Sequence, residues 1–172
     1  MDLREIEAQL EVLHPECFAW ALCCCRWDRE EAEEVLQMAF LNVLDGRASF
    51  GGRSSFKTWL FGVIRYTALD QRRRGLRRLR ILRYWLVRNP LERVVPGDPA
   101  AILAKAETAA RLRAELRRLP RRQREVLHLV FYQDLSIEAA AEVLEVALGT
   151  ARTHYERGKR RLRERLGEER DA

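Results

Sequence analysis

Thr150, Arg152, Thr153, Glu156, Arg157 and Lys159 fall in one short stretch. At helical periodicity they point away from Ala151, Tyr155, Leu162 and Leu166, which share the opposite side. A helix with that division can lie in the major groove of duplex DNA, where a guanidinium forks onto guanine edges and a threonine hydroxyl bonds a base or a phosphate. The segment just before it must position that helix. Ile137, Ala140, Ala141 and Leu144 recur at i, i+3, i+4 and i+7, the apolar face of a short helix, and Glu145-Val146-Ala147 interrupts the pattern. Two short helices joined tightly, the second basic on its free side, read as a helix-turn-helix. A plain helical hairpin with a solvated face has the same pattern.

Charge supports a polyanionic partner. The 172-residue chain carries a net charge of +6, and only Lys57, Lys105 and Lys159 are lysines, so the positive charge is almost all arginine. Planar guanidinium suits phosphate and guanine, although net charge alone does not separate nucleic acid from an anionic membrane surface. A hydrophobic share of 47% suffices for one domain or two small ones. No apolar run reaches the roughly twenty residues of a bilayer span, and Met1-Asp2-Leu3-Arg4-Glu5 lacks a signal peptide's basic front, so the expected location is the cytoplasm, without membrane insertion.

Other chemistry finds little support. Cys17, Cys23, Cys24 and Cys25 crowd one segment; adjacent cysteines fan out around a helix and do not close a tetrahedral zinc site, so they read as small buried hydrophobes. His14 could share a face with Cys17 and Cys24, and His128 has no partner nearby in sequence. A recombinase or nuclease would need a nucleophile or a carboxylate cluster, yet Asp70 and Asp134 fall in different halves. No cofactor, metal or small-molecule substrate is expected, and no enzyme activity.

In chain order, a helical pattern runs from Leu3 to about Cys25, with Ile6, Leu10 and Leu13 apolar, and Pro15 is expected to break or restart it. Asp28, with Glu31 three residues on, caps a second helix through Leu44. Its Val35, Phe40, Val43 and Leu44 face a core and leave Glu33, Glu34 and Gln37 as a polar strip. Residues 46–54 form a loop, Ser54 or Ser55 caps a third helix carrying Phe56, Trp59, Leu60, Val63, Ile64 and Leu69 inward, and that helix ends at Asp70-Gln71-Arg72-Arg73-Arg74. From Arg72 to Arg88 every charge is positive. Aromatics near arginines (Trp59, Tyr66, Tyr84, Trp85) suit single-stranded nucleic acid, where bases stack on rings, and equally suit a core. Pro90, Pro96, Gly97 and Pro99 mark a flexible linker. Helical periodicity returns at Leu103, Leu112, Leu116 and Leu119, and Pro120 opens a further helix from Arg121 to Phe131. The expected fold is all-α: two small helical domains, residues 1–88 and 105–172, joined by a linker at 89–104.

These residues carry a resemblance. Ala32-Glu33-Glu34-Val35-Leu36-Gln37-Met38-Ala39-Phe40, Phe56-Lys57-Thr58-Trp59-Leu60 and Leu69-Asp70-Gln71-Arg72-Arg73 resemble region 2 of bacterial extracytoplasmic-function (ECF) sigma factors of the sigma-70 family. Leu119-Pro120-Arg121-Arg122-Gln123-Arg124-Glu125-Val126 and the helix-turn-helix ending Gly149-Thr150-Ala151-Arg152-Thr153 resemble their region 4. The resemblance implies a subunit that binds core RNA polymerase and directs it to promoter DNA, usually under an anti-sigma factor. It assigns polymerase docking to Glu33, Glu34 and Gln37. It assigns −10 contacts to Ser49, Phe50, Arg65, Tyr66, Arg72 and Arg73, and −35 contacts to Thr150, Arg152, Thr153, Glu156, Arg157 and Arg160. A stand-alone helix-turn-helix regulator with an N-terminal sensor or dimerisation domain is the alternative.

Four departures stand out, the first being Glu156, which brings negative charge to the groove-facing side. Tyr66 occupies a position usually held by Asn beside the −10 base pocket. Ala139-Ala140 replaces a usual Glu-Ile pair. The turn reads Leu144-Glu145-Val146-Ala147 where Leu-Gly-x-Ser is common, which removes both the easy left-handed residue and the N-cap hydroxyl.

Overall fold

The computed structural model describes residues 2–86 and 114–167, with side chains described through Gly75 in the first stretch. The expected linker at 89–104, Leu103, Leu112 and the rings of Tyr84 and Trp85 lie outside the described residues. The described secondary structure is all-α: α1 Leu3–Cys24, α2 Arg29–Leu44, α3 Phe56–Leu86, α4 Arg121–Phe131, α5 Ile137–Leu144 and α6 Leu148–Gly167.

Local capping starts four of these helices. Asp2 and Glu5 form a reciprocal capping box on α1, Asp28 accepts from the Glu31 amide at 3.0 Å, and Ser136 accepts from the Ala139 amide at 3.1 Å. At α3 the Ser55 hydroxyl, not that of Ser54, takes the Thr58 amide at 3.1 Å.

Two expected boundaries change. Pro15 lies inside α1 without breaking it. Its ring is exposed, so the carbonyl that loses a donor faces water, and buried Leu10, Cys17 and Trp20 anchor the helix on both sides. Helix α3 continues past Arg74 and Gly75 to Leu86, because one glycine among good helix formers weakens a helix by only about 1 kcal/mol without ending it.

Helices α1, α2 and α3 pack together around Trp20, Val35, Ala39, Leu60, Phe61 and Ile64. On α2 the inward set is Ala32, Val35, Leu36, Ala39 and Val43, whereas Phe40 is half-buried and Leu44 is exposed. The core stripe is therefore rotated toward Leu36 from the expected one. Helices α4, α5 and α6 form the second group, with Leu116 and Leu119 packed on Leu127.

The two groups also pack on each other, α1 against α4 and α3 against α5. Helix α4 is therefore covered all round, and every residue from Gln123 to Leu129 is buried. Its strong amphipathic pattern conceals this, since Gln123, Arg124, Glu125 and His128 lie on faces that would ordinarily be wet.

Candidate nucleic-acid interface

The helix-turn-helix is built by α5 and α6. Glu145 occupies the left-handed region at φ 51° and ψ 50°, and the Val146 amide returns to the Ala141 carbonyl at 3.1 Å. A residue with a Cβ is strained there by on the order of 1–2 kcal/mol, and glycine is not. Ala147 starts α6 with its backbone carbonyl alone, accepting from the Thr150 and Ala151 amides. Ala151 and Gly158 are buried, and Gly158 seats α6 against Leu127 and Gln123 of α4. At Gly158 a Cβ would stand 2.8 Å from Leu127 Cδ1, so the absence of a side chain sets the approach of the two helices.

That packing leaves Thr150, Arg152, Thr153, Glu156, Arg157 and Arg160 exposed along one side of α6. Arg152 reaches Glu138 at 3.2 Å, an exposed pair that DNA could displace. Lys159, expected on the same free side, is half-buried, with its ammonium 4.8 Å over the Tyr155 ring.

On the first helical group, Glu33, Glu34 and Gln37 are exposed along α2, and Met38 and Leu41 add exposed apolar surface beside them. Tyr66 on α3 is 64% exposed and shares a cleft with Glu34, Met38 and Asn42 of α2. It also lines a cleft of about 530 Å³ with Arg47, Trp59, Val63 and, from the second group, Glu142 and Glu145. Ser49 is exposed; Phe50 is half-buried, edge-on to Phe56 at 5.4 Å and tilted against Trp59 at the same separation. Trp59 thus packs in a half-buried aromatic cluster. Arg72 and Arg73 are exposed and line a further cleft of about 570 Å³ with Arg26, Arg121, Arg122 and Glu145.

Arg65 differs from the other expected −10 residues. It is only 4% exposed, and its Nε lies 3.4 Å from Glu125 Oε2. Glu125, 1% exposed, also meets Arg121 at 3.4 Å and Arg122 at 3.7 Å. Arg122 in turn donates to the Leu144 carbonyl at 3.0 Å. In this conformation Arg65 is therefore turned away from solvent and from any DNA.

The same seam is fastened elsewhere. Lys57 pairs with Glu16 at 2.6 Å and donates to the Gln133 carbonyl at 2.9 Å. The Gln133 amide nitrogen donates to the Glu16 carbonyl at 3.3 Å. Trp20 lies tilted at 5.6 Å from His128, which stacks at 5.3 Å from Tyr132, and Arg124 sits 5.5 Å over the Trp27 ring. Both Arg26 and Trp27 hold left-handed backbone, at φ 58° and 65°. Glu125, Trp27, Gln133 and Gly158 carry no functional signal by residue type; the one available hint was a lone acid among three arginines in residues 121–125.

The cysteines are structural by position. Cys17, Cys23 and Cys25 are buried and Cys24 is half-buried. Burial pushes the thiols of Cys17, Cys23 and Cys25 up to about 12, so the reactive thiolate is scarce at neutral pH. His128 is likewise a packed imidazole, lowered by burial to about 4.

Comparison with known proteins agrees with this arrangement. Residues 17–78 match sigma-70 region 2, and residues 109–162 match sigma-70 region 4. The RNA polymerase sigma factor YlaC of Bacillus subtilis is 29% identical over 146 residues, covering 83% of this chain and 81% of YlaC. The ECF RNA polymerase sigma factor SigX of the same organism is 31% identical over 142 residues, covering 81% of this chain and 72% of SigX. The sigma factor RpoE of Bartonella quintana, solved with the anti-sigma factor NepR, shares the fold. Its TM-score is 0.74 at 24% identity, with 95% of this chain and 98% of that chain covered. No described helix is long and apolar enough to cross a membrane. Two family regions in their proper order, and a relative matched over most of both chains, establish that this chain belongs to the ECF sigma factors of the sigma-70 family.

Proposed function

We propose that this ECF sigma factor, which directs core RNA polymerase to promoters, divides promoter recognition between its two helical groups. The units are residues 1–88 and 105–172, and residues 89–104 join them. It acts in the cytoplasm and carries out no catalysis of its own. The observation that carries the reading is the exposed row Thr150, Arg152, Thr153, Glu156, Arg157 and Arg160 on α6, whose opposite face is fixed by Ala151 and Gly158. That row reads the −35 element as duplex: an arginine on a guanine edge specifies sequence, and its neighbours on phosphates set register.

Ser49, Phe50, Arg65, Tyr66, Arg72 and Arg73 form the −10 surface. There a strand separated from its partner would lay bases on rings and phosphates on guanidinium groups. Tyr66, standing where the family usually has Asn, offers a stacking face in place of an amide's hydrogen bonds, so base choice at that step is governed more by ring overlap. An anti-sigma factor is the expected protein regulator, in keeping with the complex in which the RpoE neighbour was solved.

The −35 assignment is tested by promoter-directed transcription with a series of single changes in the −35 element. Replacing a base-reading arginine, Arg152→Ala or Arg157→Ala, is expected to cost about 1–3 kcal/mol and relax preference at one position. A phosphate-holding arginine should instead weaken all sequences alike. Full −35 preference in both variants would remove α6 as the reader.

Polymerase docking is assigned to Glu33, Glu34 and Gln37, with exposed Met38 and Leu41 as the apolar part of the same surface. A Glu34→Arg chain should keep its helical spectrum and lose about tenfold or more in association with core enzyme, through charge reversal at the interface. Unchanged co-purification would assign the strip to plain solvent-facing surface.

A further inference from the structure

One member of the exposed row on α6 carries the wrong charge for a helix that lies among phosphates. Glu156 stands four residues from Arg152 and four from Arg160, so one stripe of the helix runs positive, negative, positive at steps of about 6 Å. Backbone phosphates repel a carboxylate, and nothing in general DNA affinity favours one here. Glu156 is exposed, yet it is braced. Its Oε1 lies 3.4 Å from the Lys159 ammonium, that ammonium sits 4.8 Å over the Tyr155 ring, and Tyr155 stacks 5.8 Å from Phe131 of α4. The Lys159 side chain is 25% exposed and that of Glu156 67%, so the carboxylate projects outward from a covered support. The flanking arginines are directed elsewhere: Arg152 pairs with Glu138 at 3.2 Å and Arg160 with Glu164 at 3.8 Å. Lys159 occupies one of the roughly four acceptor sites of the carboxylate and leaves the rest to the groove.

We propose that Glu156 selects cytosine at one position of the −35 element by accepting a hydrogen bond from its exocyclic amine. The inference rests on the reading of α6 as the −35 helix and names the base that one of its side chains takes. An ionised carboxylate only accepts, and in the major groove only cytosine and adenine present a donor. The adenine amine is flanked by acceptors on both sides, its own N7 and the O4 of the paired thymine. The cytosine amine has an acceptor on one side alone, the O6 of the paired guanine. Guanine and thymine offer the carboxylate acceptors and a methyl group, and are rejected. Arg152 and Arg160 remain one turn away on either side for guanine edges or phosphates.

The test uses holoenzyme assembled from the full chain and core RNA polymerase. It is offered promoter-length duplexes randomised over the −35 and −10 elements, and the bound duplexes are sequenced. Wild type should favour a C·G pair about tenfold over the other pairs at one −35 position. In Glu156→Gln the amide both donates and accepts and so matches adenine N6 and N7; preference at that position should move from cytosine to adenine, with the other positions retained. Glu156→Ala should level that position to within about twofold. The residue is exposed, so both variants should keep the wild-type helical spectrum.

Absence of a C·G preference in wild type would overturn the proposal, as would wild-type preference at every position in both variants. An equal gain in binding for all sequences in both variants would also overturn it, by reducing Glu156 to a general repulsion of phosphates. Arg152→Ala and Arg157→Ala in the same selection separate these results from failure of the −35 reading. If an arginine variant relaxes its own position while the Glu156 variants relax none, the cytosine assignment alone falls. If no α6 variant changes any position, α6 is not the reader and both fall together.

Discussion

A chain carrying Trp20→Ala should lose about 3–5 kcal/mol of stability, the range for deleting a fully buried large aromatic. Trp20 has no exposed surface and touches two other helices. Its indole Nε1 donates to the Phe61 carbonyl on α3 at 2.9 Å, its ring stacks 6.1 Å from Phe61, and its far side meets His128 on α4. Trp20→Phe keeps most of the apolar volume and loses the donor, so its cost should be nearer 1–2 kcal/mol. Urea midpoints at neutral pH measure both. A loss below about 1 kcal/mol for the alanine variant would mean that the seam and the first core readjust around the gap, contrary to the close packing described.

The second large effect is expected from pH. An exposed histidine titrates near 6.5, whereas burial lowers His128 to about 4. Between those values the unfolded chain binds a proton that the packed chain refuses. Stability from this group is therefore complete above about pH 6.5 and declines as pH falls toward 4. The slope approaches 1.4 kcal/mol per pH unit, which gives about 2 kcal/mol between pH 7 and pH 5. The groups facing the ring are Trp20, Tyr132 and the Gln133 amide, and the ion pair of Glu16 with Lys57 lies just beyond Gln133. Carboxylates elsewhere add their own pH dependence, so the informative quantity is the difference from His128→Phe, which has no proton to gain. If wild type and variant lose stability equally from pH 7 to pH 5, His128 is not the group responsible.

The helix-turn-helix, the caps at Asp28 and Ser55 and the exposed strip on α2 were legible in the sequence because each follows from local spacing. An apolar period of three to four residues fixes which side turns inward, and a capping side chain acts within its own first turn. Arg65 was not legible in the same way. Its burial depends on Glu125, sixty positions later, and nothing in the neighbourhood of either residue distinguishes a solvated charge from one held by a distant opposite charge. For the same reason His128 looked like an isolated imidazole, although Gln133 and Trp20 hold it from a loop and another helix. Pro15 misled because the usual cost of proline presumes a carbonyl that cannot reach water, and here that side of α1 is open. The end of α3 misled because a switch in composition, from apolar to arginine-rich, resembles a boundary even where the backbone has no reason to stop.

Helix α4 carries Glu125 on one side and meets α6 at Gly158 on another, so the seam with α3 and the exposed row of α6 ride on a single rigid carriage. A movement that parted Glu125 from Arg65 would transport α6 intact, since the close approach of Leu127 at Gly158 leaves little slack for the two helices to slide. Whatever happens at one face of this eleven-residue helix would therefore reach the other as a displacement of the whole row from Thr150 to Arg160, with the spacing inside that row unchanged.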